Sequence, residues 1–240
     1  MDQVIKANLR RVREEIWRAA RRVGRDPGEI QVVAVSKGVP VAAIRAAQAA
    51  GQRLFGENRV QEFIRKYGEI GDAVDWHFIG YLQRNKVKYL VGRIRLLHSL
   101  DRWDLAVALD RWAQKRGRGF DVLIQVNVAR EPSKHGLHEE ELPDFLAAAA
   151  ELPGIRVRGL MTIAPFVPDP EEVRPVFRRL RELAAAYRHY AGATLEFLSM
   201  GMSDDYVVAV EEGANLLRIG TAIFGPRRKE GEGENEQKIS

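Results

Sequence analysis

The chain has 240 residues, of which 45% are apolar and 30% are charged, and lysine plus arginine exceed aspartate plus glutamate by 38 to 33. This is the composition of a folded globular protein and it excludes a disordered one. The chain has no cysteine, which excludes disulfides, thiolate metal sites and cysteine nucleophiles. The sequence has neither a run of about 18 uncharged apolar residues nor a secretory signal, so we expect no membrane segment and a cytoplasmic location.

The first 25 residues predict an amphipathic helix. Apolar residues recur there at steps of three or four, which places them on one stripe of a helix: Ile5, Leu9, Val12, Ile16, Ala20 and Val23. Seven arginines between positions 10 and 25 lie largely outside that stripe. A nucleic-acid-binding arm could have this composition. The solvated face of a helix already explains it, so we expect no nucleic-acid binding.

From residue 30 onwards, short strand-like runs, the first of them β-branched, alternate with helical patterns. The strand candidates are residues 30–35, 53–55, 76–79, 96–100, 121–128, 157–163, 195–198 and 216–224. Helical patterns separate them at residues 40–50, 57–67, 83–91, 101–115, 139–150, 170–190 and 204–212. Strict alternation argues for parallel strands joined by right-handed crossovers, and eight such units are typical of a (β/α)8 barrel. A doubly wound open sheet is the main alternative, because one sequence does not reveal strand order.

We therefore predict an α/β fold in which a single (β/α)8 TIM barrel, preceded by the N-terminal helix, occupies residues 1–225. No linker rich in proline, glycine or serine divides this stretch. Residues 226–240 contain one large apolar side chain, Ile239, and predict a disordered polar tail.

Active sites of parallel barrels gather where the strands end. The first predicted strand is followed by Lys37, and an amine at the mouth of an apolar barrel is a candidate nucleophile for carbonyl groups. A lysine that merely extends into solvent is the alternative. Asn58 follows the second strand and can donate to or accept from a ligand oxygen, or it caps the next helix. His77 lies inside the third apolar run, where a core histidine with satisfied hydrogen bonds is the more common finding.

The last two strand ends predict an anion site. Glycines let backbone N–H groups approach an anion, and hydroxyls add donors. The polar and glycine residues at these two ends are Ser199, Gly201, Ser203, Arg218, Gly220 and Thr221. The loops after strands seven and eight are the usual phosphate site of such barrels, although tight turns with capping serines are an alternative. An amine and a phosphate site on one barrel together suggest pyridoxal 5′-phosphate, PLP, with Arg218 as a partner that leaves the ring nitrogen neutral.

Seven motifs in this order resemble the pyridoxal phosphate homeostasis protein family. They are residues 33–37 (VAVSK), 55–62 (FGENRVQE), 76–80 (WHFIG), 133–137 (SKHGL), 159–163 (GLMTI), 198–203 (LSMGMS) and 218–225 (RIGTAIFG). The resemblance implies a barrel like the N-terminal domain of alanine racemase, PLP fold type III without the C-terminal β-domain. Gly38 stands where a threonine is usual in the family.

The resemblance also implies roles for individual residues. PLP would form a Schiff base with Lys37, its phosphate would contact Ser199, Gly201, Ser203, Gly220 and Thr221, and Arg218 would meet the ring nitrogen. Asn58 would lie beside the ring, and His77 is included among the candidate cofactor-binding residues. The implied function is intracellular PLP homeostasis, with storage, buffering or delivery to PLP-dependent apo-enzymes, and a monomer is expected.

A PLP-dependent amino-acid racemase is the competing interpretation. Racemisation needs an acid/base group on each face of the substrate carbanion. Lys37 can serve one face, and in alanine racemase the other group comes from a C-terminal β-domain for which this chain has too few residues after position 225. We therefore expect no catalytic residues and no robust turnover.

Overall fold

Eight parallel strands close into a barrel in the computed structural model, which describes residues 2–226. Each strand pairs with the next along the chain, and the last pairs back with the first. The strands are β1 (Gln31–Val35), β2 (Leu54–Glu57), β3 (Asp75–Phe78), β4 (Leu96–Leu100), β5 (Phe120–Gln125), β6 (Ile155–Met161), β7 (Phe197–Ser199) and β8 (Leu216–Ile219). The predicted barrel is confirmed, and the open doubly wound sheet is wrong.

Helices cover the outside of the barrel. They are α1 (Asp2–Arg22), α2 (Val41–Ala49), α3 (Val60–Ile70), α4 (Trp103–Arg116), α5 (Leu142–Ala150), α6 (Arg174–Ala186), α7 (Tyr206–Glu211) and α8 (Thr221–Phe224). In the stretch from residue 2 to residue 226, no helix is long and apolar enough to cross a bilayer. The predicted tail lies outside the described residues except for Pro226.

Helix α1 packs against α2, α7 and α8 through its apolar stripe, which is buried as its periodicity predicts. The stripe is fully buried from Ile5 to Ala20, but Val23 lies beyond the end of the helix and is exposed. Two of the arginines anchor the helix: Arg22 forms an ion pair with Glu211, and Arg25 donates to the carbonyl groups of two residues near α7. Arg22 and Arg25, two of the seven arginines of this segment, therefore have structural contacts.

The barrel interior has an apolar layer below a polar one. Successive strand residues point to opposite faces, so on β1 Val33 points inward and Ala34 packs against the helices. Val33 joins buried side chains from four other strands, namely Leu96, Leu123, Met161 and Leu216. The polar layer nearer the mouth of the barrel contains His77, His98, Ser199 and Arg218, all buried.

Several predicted boundaries are wrong by a few residues, in strands and in helices. The eighth strand ends at Ile219 rather than at Phe224, because Gly220 turns the chain into the short helix α8. Similarly, β5 and β6 end before their predicted limits, and the helix predicted over residues 83–91 is a 3-10 helix, Arg84–Tyr89.

Candidate functional site

Lys37 lies on a tight turn that directly continues β1. The N–H of Val39 donates to the carbonyl oxygen of Ser36 at 2.9 Å, which closes a four-residue turn with Lys37 as its second residue. Its third residue, Gly38, has φ of +71°, a conformation that glycine adopts without strain. Lys37 itself is half-buried. Lys37 therefore lies at the end of a strand, as the sequence predicts.

Asn58 lies beside Lys37 on the neighbouring strand end. Val35 on β1 pairs with Gly56 on β2, two residues before Lys37 and Asn58, so these two residues follow neighbouring strand ends. The Oδ1 atom of Asn58 is buried and has no hydrogen-bond partner among residues 2–226. Asn58 does not cap α3, whose N-cap is Arg59. An orphaned buried acceptor at this place is the kind of atom that a ligand donor would satisfy.

The loops after β7 and β8 are tied to each other. The Oγ atom of Ser203 accepts hydrogen bonds from the N–H groups of Gly220 and Ala222, both at 3.2 Å. Gly201 has φ of +91°, and its carbonyl oxygen accepts from the Arg218 N–H at 3.0 Å. The predicted phosphate residues of the two loops therefore come together in one place.

The same loops lie next to the strand that carries Lys37. A Cβ atom built on Gly220 would lie 3.5 Å from the Cβ atom of Val35, two residues before Lys37. Thr221 begins α8 and is exposed. The predicted amine and the predicted anion site are thus neighbours across the β1–β8 seam of the barrel.

Arg218 belongs to a chain of polar groups that crosses the barrel interior. Its Nη1 atom donates to Ser199 Oγ at 2.6 Å, and its Nη2 atom donates to the carbonyl oxygen of Thr162 at 2.9 Å. Ser199 Oγ lies 2.9 Å from His98 Nδ1, and His98 Nε2 lies 2.9 Å from His77 Nδ1. Four strands, β3, β4, β7 and β8, contribute to this chain.

Hydrogen-bond logic fixes the direction of the chain. Ser199 accepts from Arg218, and within the described residues its own proton has only His98 Nδ1 as an acceptor. His98 then carries its proton on Nε2 and donates it to His77 Nδ1. Ser199, predicted to contact phosphate, would have to share a hydroxyl that already holds Arg218, so its phosphate contact stays a prediction.

Burial lowers the pKa values of the basic groups in this chain. The pKa of His77 falls to about 4, and that of His98 falls well below its ordinary value because of burial and of the positive charges it would meet on His77 and Arg218. Both imidazoles are therefore neutral near pH 7. Burial also lowers the pKa of Arg218 to about 10, with Asp205 opposing the shift, so its guanidinium stays charged.

Three residues that the structure places at this site were not predicted from the sequence. His98 and Thr162 hold the polar chain, and Lys66 contacts the backbone beside Lys37. A histidine inside the apolar run of β4 is the one signal that could have indicated His98, since it repeats the pattern of His77. His77 is a core residue whose visible partner is His98, and its contact with a cofactor stays a prediction.

Comparison with known proteins identifies the family. The family model described as alanine racemase, N-terminal domain, matches residues 5–228. The pyridoxal phosphate homeostasis protein of Aquifex aeolicus is 48% identical over 221 residues, which covers 92% of this chain and 97% of that protein. The chain belongs to the pyridoxal phosphate homeostasis protein family. The family member of the same name from Escherichia coli K12 is 44% identical over 232 residues and is covered to 97%.

Solved structures of this family have the same barrel. PipY of Synechococcus elongatus PCC7942 is 40% identical to this chain, which covers 100% of it, and two structures of PipY match. The TM-score is 0.82 for the structure without PLP and 0.81 for the structure with PLP bound. The resemblance expected from the seven motifs is confirmed, and so is the alanine-racemase-like barrel.

Proposed function

We propose that this chain binds PLP with covalent attachment to Lys37 and keeps the cofactor available in the cell by storage, buffering or delivery. The observation that carries the proposal is that Lys37, the tied loops after β7 and β8, and a buried arginine meet at one end of the barrel. PipY, a relative that aligns over nearly the whole chain, has been solved with PLP bound.

The residues present fit the cofactor. When bound, PLP supplies an aldehyde that condenses with a primary amine and releases water. Lys37 provides an amine on a turn whose backbone is fixed. The hydroxyl groups of Ser203 and Thr221 and the N–H groups of Gly201 and Thr221 would donate to the phosphate, whereas the Gly220 N–H, which donates to Ser203 Oγ, would have to change partner to do so.

Arg218 and Asn58 would hold the ring. Two of the five N–H donors of Arg218 are used by Ser199 and Thr162 among residues 2–226, so the guanidinium has donors left for the ring nitrogen. A guanidinium, unlike a carboxylate, leaves that nitrogen without a proton and makes the ring a weaker electron sink. Asn58 Oδ1, which is buried and has no partner among residues 2–226, would accept a hydrogen bond from a polar group of the ring edge.

The absence of robust turnover is part of the proposal. It is supported by the names of the relatives, which describe homeostasis rather than an enzymatic reaction. It is also supported by the weak electron sink expected beside Arg218. PLP-dependent apo-enzymes are the proposed recipients of the cofactor.

Two measurements test the function. Titration with PLP is expected to give saturable binding with an absorbance change that Lys37→Ala abolishes. Incubation of the loaded protein with D- and L-alanine is expected to give no racemisation above that of free PLP. Racemisation that exceeds this background and disappears in Lys37→Ala would establish the racemase alternative instead.

A further inference from the structure

A buried cluster of one base and two acids lies behind Lys37, outside the barrel wall. Ser36 and Glu57 face α3, because Ser36 Oγ donates to Glu57 Oε1 and Lys66 of α3 contacts both residues. Lys66 and Glu62 of α3 complete the cluster. The side chains of Lys66 and Glu57 are both 0% exposed.

Lys66 is fully satisfied by this cluster. Its ammonium has three N–H donors, and Nζ lies 2.6 Å from the carbonyl oxygen of Ser36, 2.7 Å from Glu57 Oε1 and 2.7 Å from Glu62 Oε1. One of the three bonds therefore goes to the main chain immediately before Lys37. A buried ammonium is costly to desolvate, and a buried ion pair is weak evidence for stability alone.

Glu62 holds the main chain immediately after Lys37. Its Oε1 atom accepts a hydrogen bond from the N–H of Gly38 at 2.6 Å. Burial alone would raise the pKa of Glu62, but the hydrogen bonds from Lys66 and Gly38 outweigh burial and lower it, so the carboxylate is charged. Both peptide groups that flank Lys37 are thus fixed by charged side chains of one helix.

Glu57 connects the two strands at the base of the turn. Its Oε1 atom accepts from Ser36 Oγ at 2.6 Å, while the N–H of Ser36 donates to the carbonyl oxygen of Gly56 at 2.9 Å. Burial raises the pKa of Glu57, and its Oε2 atom has no partner within the described part of the chain. This unsatisfied atom is a cost that a cluster serving stability alone would avoid.

We propose that Lys66 and Glu62 are positioning residues that clamp the Ser36–Gly38 backbone and hold the Lys37 amine where it meets the carbonyl of a bound ligand. The inference rests on the proposed function and names residues that support its covalent step. Without the clamp the turn could rotate its two peptide groups, and Lys37 would sample more directions at the mouth of the barrel.

The test compares a ligand that can react with lysine and one that cannot. PLP carries an aldehyde, whereas pyridoxine 5′-phosphate carries an alcohol at that carbon and shares the ring and the phosphate. For Glu62→Ala and Lys66→Met we expect PLP affinity to fall about tenfold, the scale of one lost charged hydrogen bond, with affinity for pyridoxine 5′-phosphate unchanged. Borohydride trapping of PLP on Lys37 should slow in parallel.

Control variants separate positioning from folding. Glu69→Ala removes an exposed carboxylate from the same helix and should behave as the unmodified protein. Glu62→Gln keeps an acceptor for Gly38 and should recover most of the PLP affinity. If Lys66→Met does not fold, Glu62→Ala decides the question. The Glu62 side chain is 16% exposed and lies in the first turn of α3, so its removal should disturb folding less than a change at the fully buried Lys66. Equal losses for both ligands, or no loss for either, would overturn the proposal.

Hydrogen exchange of the Gly38 amide in the protein without cofactor gives a separate readout. We expect faster exchange in Glu62→Ala than in Glu69→Ala, and equal rates would overturn the clamp. If the unmodified protein forms no covalent adduct with PLP, the proposed function fails, while Gly38 exchange still decides whether Glu62 holds the turn.

Discussion

Mild acid should destabilise this protein through its two interior histidines. His77 and His98 are neutral in the folded state, and burial holds both pKa values below the ordinary value of 6.5. In the unfolded chain both imidazoles accept protons as the pH falls through 6.5. The unfolded state therefore binds more protons than the folded state, and stability falls with falling pH.

The size of the stability loss down to about pH 5.5 is set by the unfolded-state pKa of the two histidines, because both stay neutral in the folded state over this range. At about pH 5.5 the pH is one unit below the unfolded pKa of each histidine, while both are still neutral in the folded barrel, because the pKa of His77 is about 4 and that of His98 lies well below 6.5. One unit corresponds to about 1.4 kcal/mol, so the two together remove roughly 3 kcal/mol between about pH 7.5 and 5.5. Burial raises the pKa values of Glu57 and Asp205, so protonation of these two carboxyls in the folded state opposes part of this loss.

Urea unfolding at several pH values measures this loss. The midpoint should fall with pH while the slope stays constant. A His77→Gln variant has one titrating imidazole fewer and should lose only about half as much stability over the same pH range, whatever its stability at pH 7.5. Equal stability of the unmodified protein at pH 7.5 and 5.5 would refute the neutral histidine pair.

Two further predictions concern the loops after β7 and β8. Gly201→Ala should destabilise the protein by about 2–4 kcal/mol, because a Cβ atom there would lie 2.6 Å from the Ala209 Cβ atom at a φ of +91°. Gly51→Ala has a similar φ of +85° but open space, so urea unfolding should give about 1 kcal/mol, and equal losses would contradict the crowding argument. Ser203→Ala and Thr221→Ala should each weaken PLP binding by about 1–3 kcal/mol in titrations, and unchanged affinity in both would remove the phosphate assignment.

The sequence was sufficient for the architecture because the barrel repeats one local pattern eight times. Each strand-like run was visible without knowledge of its neighbours, and Lys37 could be placed at a strand end from residues 33–37 alone. The end of β8 was not visible in the same way. Residues 216–224 read as one apolar strand, but Gly220 turns the chain there so that its N–H can meet Ser203.

The supporting residues of the site could not be predicted because their importance comes from distant partners. His98 meets Ser199 across 101 residues of sequence, and Lys66 meets the Ser36 carbonyl across 30. In sequence, Lys66 is one of several polar residues on an amphipathic helix, where a lysine is expected to face solvent. Only the register of β1 with β2, and the packing of α3 over both strands, shows that this lysine faces the outer side of the barrel wall and not solvent.

Covalent trapping tests the central claim most directly. The protein is incubated with PLP, reduced with borohydride and digested, and mass spectrometry locates the modified lysine. We predict a single phosphopyridoxyl adduct on Lys37, absent from Lys37→Ala. An adduct mainly on Lys86 or Lys134, or no adduct at all, would contradict the account.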